Sequence, residues 1–573
     1  MKTIIWEDPM KLNDESGKLS KNIAENWLIG LRETNPAILD MFHERDKKPY
    51  RELLPWSGEF AGKYITGAYY IYKLTRHGGL YSYMSRFLDE LLSCIDEDGY
   101  IGCFQKECRL TGAYSQNPTV SGSTWDAWSH YHIMFGLYLW HRETKNSRYQ
   151  EAVIKIAELF MKTFYHGNRR IVEIGSTEMN LSVIHIFALL YRDTKDERYL
   201  KFALEIETDI KHPNAGNYIE YAIEGGEFYK CPKPRWESLH VVMGIAALSD
   251  VDEKYKKAAL QIFYSILKTD IHNTGGFSTE EQAMGTPFIN GVIELCCVIA
   301  YNSLACDILK ITGDLKIVDF LELSHYNAVM GSFSPTGRWS TYNTPMEGAK
   351  LSNYHQIGFQ CRPGSPDLNC CSVNAVRGVG LLSEWAVTEN GGTTYINYFG
   401  SWHGKTKDGL NIRVSGDYPA NGNVTITLDS HSPKRVAVRI PAWSKNTLIK
   451  YADKEIIPAS GEYWEIEKEW KNSEINIEFD FTPYWLEGGG NYTGKCSIYT
   501  GPVLYGYDLS MNDGFDFEHL PAITAAMLQK AVPERNHDGR IILKLKNGMT
   551  LCDFYRLGST GGVYKTWFSF NNK

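Results

Sequence analysis

Through the first 385 residues, apolar positions recur at helical spacing, and the polar breaks between them look alike. Each break reads as the end of one helix, a polar corner and the start of the next. The corners are "YKLTRHGGLYSYM" (72–84), "WHRETKNSRYQEA" (140–152), "LYRDTKDERYLKFA" (190–203) and "LKITGDLKIVDFLE" (309–322), which put Thr75, Thr144, Thr194 and Thr312 in equivalent places. "LSDVDEKYKKAAL" (248–260) is a weaker copy around Asp250. The steps between corners are uneven, roughly 50–70 residues, which suits a helix pair plus variable loops. An α-solenoid would repeat more regularly. Uneven helical hairpins that close on themselves predict a mostly α fold, an (α/α)6 barrel or toroid, with loops at one end around a deep pocket.

Near residue 386 the pattern turns to strict alternation. "TTYINYFG", "NVTITLDS", "RVAVRIPAW", "EYWEIEKEW", "EINIEFDF" and "CSIYTGPVLYGY" are separated by Gly, Pro, Asn and Asp. Strands this short predict an antiparallel β-sandwich over 386–573 after a barrel domain over 1–385. "TIIW" at residues 3–6 is expected to join it as a short N-terminal strand. No low-complexity linker separates the two parts, so they are expected to pack tightly.

Composition narrows the partners. The 573 residues are 43% apolar, enough for a large core. The net charge is −8 without blocks of like charge, which argues against nucleic acid and anionic membrane as partners. The N-terminus shows no signal-peptide pattern, and no stretch reads as a membrane span. The expected location is cytoplasmic. The 12 Cys are then expected to be reduced, and clustered ones become metal or catalytic candidates. The 15 Trp and 36 Tyr serve either core packing or stacking on sugar faces.

Half of the Cys lie between 296 and 371: Cys296, Cys297, Cys306, Cys361, Cys370 and Cys371. Glu294 stands just before Cys296 in "GVIELCCVIAY". Thiolates with one carboxylate can hold a tetrahedral zinc ion, and buried thiols can equally be small core residues. Glu294 and Cys296 are two apart, so they reach one ion only if a helix starts or distorts there. Cys370 and Cys371, in "GSPDLNCCSVNAVRG" (364–378), are expected on a turn. Glu280 and Glu281, in "TGGFSTEEQAMGTPFINGVIELCC" (274–297), are expected on a loop at the pocket mouth, as a solvated pair or as working carboxylates.

"GGFSTEEQ…P…ELC", "YNTPMEG" (342–348) and "CCSVNAVRG" (370–378), in this order, resemble the glycoside hydrolase family 127 clan, whose characterised members include β-L-arabinofuranosidases. "LPWSGEFAGKYITGAYYIYKLT" (54–75), "DEDGYIGCF" (96–104), "RIPAWS" and "EYWEIEKEW" extend the likeness over most of the chain. The resemblance implies an (α/α)6 barrel followed by a β-sandwich, and a zinc site of one Glu and three Cys. Carried over, the ligands are Glu294, Cys296, Cys370 and Cys371, with Cys297 competing for the place of Cys296. Cys370 is the implied nucleophile. Glu281 is the implied acid/base, with Glu280 in reserve, and an adjacent carboxylate is expected to raise its pKa. His132, His240, Tyr342 and Glu347 fall near sugar-binding positions of the family or serve the core or surface. Trp56 and Trp236 are stacking platforms or core.

Two departures bear on the sugar. The segment "IGSTEMNLSVIHIFALLYRDT" (174–194) lacks a Gly-His-Pro-Glu type motif, and the acid/base loop is short. The expected activity is retaining exo-hydrolysis of a β-L-arabinofuranoside or a related plant cell-wall sugar, including a branched or acidic pectic one. The expected substrate is a small oligosaccharide or glycoside, and a homodimer is compatible with this reading. The alternatives are a non-catalytic carbohydrate-binding protein on the same scaffold, and a toroid-fold lyase or uronyl hydrolase, which would work without thiols.

Overall fold

The repeated corners fold by one local rule. The computed structural model describes residues 1–113, 123–360 and 365–571. In it each corner Thr hydroxyl donates to the carbonyl four residues back: Thr75 to Ile71 (2.8 Å), Thr144 to Trp140 (2.7 Å), Thr194 to Leu190 (2.7 Å) and Thr312 to Ile308 (2.9 Å). The same hydroxyl accepts from the backbone N–H two residues on. The residue between, Arg76, Lys145, Lys195 or Gly313, is left-handed and ends the helix. His77, Asn146, Asp196 or Asp314 then caps the next helix.

Six helices line the interior: α1 (Glu59–Thr75), α2 (Asp126–Thr144), α3 (Val183–Thr194), α4 (Ser238–Ala247), α5 (Leu295–Thr312) and α6 (Cys370–Gly380). Each packs on the next, and α6 packs on α1, so the ring closes. Amphipathic helices at Gly78–Leu92, Ser147–Phe160, Glu197–Ile210, Glu253–Thr269 and Leu315–Ser324 follow α1 to α5 and form the outer layer. Glu15–Ile23 packs against α1 and α6. This is the expected toroid. Helix α5 is long and apolar enough by length and composition to cross a membrane, which the sequence reading missed. Here it is an almost wholly buried inner helix.

Glycines set how closely the inner helices approach. A Cβ on Gly62 of α1 would lie 2.5 Å from the His132 Cβ on α2. One on Gly67 of α1 would meet Val376 of α6 at 2.4 Å, and one on Gly378 of α6 would meet Ile299 of α5 at 2.3 Å.

The β region starts from both chain ends. One sheet has five strands: Lys2–Thr3, Val387–Asn390, Thr393–Ile396, Pro433–Ile440 and Glu462–Glu469. The facing seven-stranded sheet takes Trp6–Leu12 at its edge, against Trp402–Thr406. The expected N-terminal strand is therefore two strands, one in each sheet. Asn423–Asp429 shows the predicted alternation, with Val424, Ile426 and Leu428 buried. From Tyr484 onward the chain builds nine strands of a further ten-stranded sheet with its own apolar cluster. Glu347–Gly348 from the barrel joins it, paired with Tyr564–Lys565. The sandwich is fastened to the barrel by fully buried Arg439, whose guanidinium bonds Asp319 (2.6 Å) and Glu322 on the outer helix Leu315–Ser324.

The close approach of α1 and α2 gives a direct check. Gly62→Ala is expected to destabilise the protein by about 1–3 kcal/mol, because a methyl group there meets backbone and Cβ rather than a flexible tip. A lower denaturation midpoint for Gly62→Ala, with little change for an alanine at solvent-facing Gly78, is the expected result.

Candidate active site

Glu294 ends a short strand, Val292–Glu294, that pairs with Asn343–Pro345, and it stands in extended conformation immediately before α5. Cys296 is the second residue of α5. The helix therefore begins between the two, as their sharing of one site requires. Cys370 and Cys371 do not sit on a turn, as the sequence suggested. They are the first two residues of α6, which Asn369 caps in a reciprocal box with Ser372. An Asn cap and a turn share residue types, which explains the difference. The thiols gain from this position, because the positive end of the helix dipole favours negative charge there.

The carboxylate of Glu294 and the sulfurs of Cys296, Cys370 and Cys371 all lie within 4.8 Å of one another, and all four residues are buried. Cys371 Sγ is 3.3 Å from Cys296 Sγ and 3.5 Å from Glu294 Oε1. Donor atoms around a tetrahedral zinc stand about 3.5–3.8 Å apart, so the set fits such an ion in both chemistry and spacing. Cys297 lies 3.8 Å from the other Glu294 oxygen and outside this group. Cys306 is buried farther along α5, beside Lys310 and Glu384. Cys361 lies outside the described residues.

Charges divide the cluster. Burial pushes Glu294, Cys296 and Cys371 well above their ordinary values, and their negative neighbours add to this for Glu294 and Cys371. Burial also acts on Cys370, but hydrogen bonds from Cys296 and Cys371, the Lys63 charge and the Tyr342 hydroxyl outweigh it and hold this thiol well below its usual range. Tyr342 Oη is 3.2 Å from Cys370 Sγ. Cys370 is also the one residue of the three cysteines that is not fully enclosed, 6% exposed against 0% for Cys296 and Cys371.

The predicted pocket residues fall into three groups. His132 and His240 come together on α2 and α4, with ring centres 5.3 Å apart and both packed on Trp128. Burial first, then the positive charges of Lys63 and Arg377, push both well below the usual imidazole value, so they are neutral hydrogen-bonding groups. His132 Nε2 is buried without a partner among the described residues. Trp236 is buried with its face toward Lys63 Nζ, 5.0 Å away. Trp56 is half-buried against Trp125 and donates to Gln360 Oε1 (3.3 Å), the same oxygen that accepts from Cys370 N (3.1 Å).

Glu281 is left-handed (φ 58°), its carbonyl accepts from Trp236 N (3.0 Å), and its carboxylate meets Arg235 at 2.9 Å. Its charge is felt at Glu294. Glu280 is exposed. Glu347 is not brought to the cluster: its charged neighbours are Lys495, Lys565 and Glu518 of the C-terminal sheet.

The sequence reading missed a buried ion pair. Lys63 Nζ and Glu59 Oε1, one turn apart on α1, are 2.8 Å apart and 1% exposed. Trp128 Nε1 donates to the same carboxylate. Burial raises Glu59 to about 7 against the pull of Lys63. Burial opposes charge on Lys63, but Glu59, Cys296 and Cys370 hold it protonated. The spacing in "GEFAGK" was the available signal. Asn374, four residues after Cys370, donates to Cys296 Sγ at 3.4 Å, and Arg235 also binds buried Glu237.

With this geometry in hand, known proteins give a consistent comparison. The chain is similar over 98% of its length to the structure of a GH127 β-L-arabinofuranosidase from Geobacillus stearothermophilus T6, at 15% identity and a TM-score of 0.75, covering 100% of that chain. It is similar over 100% of its length to a GH127 β-arabinofuranosidase, at 17% identity and a TM-score of 0.78, covering 98% of that chain. These likenesses carry the fold. A search of curated proteins finds no significant match. The family model for the β-L-arabinofuranosidase GH127 catalytic domain matches residues 26–384, and that for the GH127 middle domain matches residues 393–482. Barrel, sandwich and both matched stretches agree: the chain belongs to glycoside hydrolase family 127, the β-L-arabinofuranosidase family.

Proposed function

We propose that this glycoside hydrolase releases a terminal β-L-arabinofuranosyl unit, or a closely related pentosyl unit, with retention, using Cys370 as nucleophile. One observation carries the reading. Three thiols and a carboxylate converge at the starts of two helices, and Cys370, the least enclosed of the three cysteines, is also the one whose surroundings favour charge on its thiol.

Glu294, Cys296, Cys370 and Cys371 would hold a zinc ion. When bound, the ion supplies positive charge that keeps all four donors ionised and the thiolate available at neutral pH.

The chain's own groups do the rest. Cys370 Sγ attacks the anomeric carbon as the bond to the leaving oxygen breaks, giving a thioglycosyl enzyme. Glu281 protonates that oxygen. It then takes a proton from the water that attacks the same carbon, and the C–S bond breaks to return Cys370. Two inversions give net retention. Neutral His132 and His240 can bind sugar hydroxyls in either hydrogen-bonding sense, and Trp128 and Trp236 exclude water beside them. We place the reaction on small imported oligosaccharides in the cytoplasm.

Metal and turnover should separate by residue. The purified protein is expected to carry about one zinc per chain, as a four-donor set of this kind implies. Cys371→Ala should lose that zinc. Cys370→Ala should abolish hydrolysis of an aryl β-L-arabinofuranoside while its circular dichroism stays native, and turnover in a folded Cys370→Ala sinks the mechanism.

The two carboxylates should also separate. Glu281→Gln is expected to lower kcat/KM for alkyl glycosides by about 10²–10⁴-fold and to spare kcat/KM for those with acidic phenol leaving groups, whose kcat still falls because the second displacement lacks its base. Glu280→Gln should stay within about twofold on both. The reverse pattern in steady-state kinetics would move the acid/base to Glu280.

A further inference from the structure

Between Glu281 and Glu294 the chain crosses to the C-terminal sheet and back. Its barrel end is held where Met284 N and Gly285 N donate to Asp270 Oδ1, at 2.6 and 2.8 Å. Its far end is held by residues beyond the two stretches that the family models match. Asn491 N donates to the Phe288 carbonyl (3.2 Å), Asn290 N donates to Asn491 Oδ1 (3.0 Å), and the Tyr492 hydroxyl donates to Asn290 Oδ1 (2.9 Å). Tyr492 lies flat on Trp567, with ring centres 4.4 Å apart and planes 10° apart. Phe288 meets the same indole edge-on at 6.0 Å. Met346, Tyr492 and Trp567 form a small buried apolar cluster of their own, with Phe288 against it.

A segment with almost no regular structure thus has three hydrogen bonds to the Gly490–Tyr492 turn and an edge-on aromatic contact to Trp567, whose indole is itself stacked on Tyr492. We propose that Tyr492 and Trp567 are positioning residues for the acid/base. They fix residues 286–291, and through them the placement of Glu281 beside Arg235 and Trp236. Proton transfer tolerates little displacement of the acid, so a loop that carries it needs such a support. Glu294 is secured separately by pairing with Asn343. Loss of the clamp should therefore disturb the acid before it disturbs the metal. The inference rests on the reading of Glu281 as acid/base.

The test compares full-length Tyr492→Ala, Tyr492→Phe and Phe288→Ala with the parent, using zinc content, hydrogen exchange of peptides spanning 282–291, and kcat/KM on an alkyl and a dinitrophenyl arabinofuranoside. Both alanine variants are expected to keep their zinc and to exchange faster in 282–291. Each should lose about tenfold or more on the alkyl substrate and under about threefold on the dinitrophenyl one, since an acidic phenol leaves without a proton. Tyr492→Phe keeps the ring stack and should recover most of the loss. Unchanged exchange, or equal losses on both substrates, overturns the proposal. If the parent hydrolyses neither substrate, the functional reading has failed, and the exchange data still decide the clamp. Phe288→Ala, altered on the loop side alone, covers the case in which Tyr492→Ala does not fold.

Discussion

Everything in this molecule depends on how closely the six inner helices approach one another. Gly62, Gly67 and Gly378 stand where a Cβ would collide with the neighbouring helix. Their absence of side chains lets α1 meet α2 and α6 at near-backbone distance and lets Ile299 of α5 pack directly on α6. Such packing fixes the helices with little slack, because close-packed interiors transmit displacement rather than absorb it. The starts of α1, α4, α5 and α6 deliver Glu59, Glu237, Cys296 and Cys370 to one end of the barrel. The cluster is therefore a product of ring closure: Cys296 and Cys371 are 75 residues apart in sequence and 3.3 Å apart in space.

That closure also creates the electrostatic problem which the site solves. Four acidic donors buried together would stay largely protonated without compensation. Compensation comes from several directions. Lys63 brings a buried positive charge, kept protonated by Glu59 and by the thiols themselves. The α6 N-terminus adds the positive end of its helix dipole, and Tyr342 and Asn374 bring polar hydrogens to Cys370 and Cys296. The buried histidines stay neutral chiefly because they are buried, and the charges of Lys63 and Arg377 reinforce this. The same Lys63 charge thus favours negative charge on Cys370 and opposes positive charge on the two imidazoles.

Much of the architecture was legible in the chain. Four Thr corners announced the helical hairpins because the same side chain ends one helix and orients the next cap. The alternating strands after residue 386 were equally plain. Glu294 with Cys296, and Cys370 with Cys371, read equally well as small core residues by spacing, and the family resemblance is what marked them as ligand candidates. The Glu59–Lys63 pair did not stand out, since an acid and a base one turn apart normally mark a solvated helix face. Only the closed ring shows that this face points inward. Glu347 misled for a related reason. Its motif lies beside the site in sequence, but a two-residue strand turns it toward the C-terminal sheet. The support that Tyr492 and Trp567 give to the 286–291 segment joins residues about 200–280 positions apart, beyond the reach of any local pattern.

The central claim is that the sugar passes through a covalent bond to one sulfur. The most direct measurement is mass spectrometry of peptides from a Glu281→Gln sample quenched during turnover of a dinitrophenyl arabinofuranoside. In that variant the first displacement proceeds without acid help and the second lacks its base, so the intermediate should accumulate. The account predicts one pentosyl unit on the peptide carrying Cys370 and on no other. A pentosyl unit on a carboxylate, or rapid turnover with no adduct at any position, would contradict it.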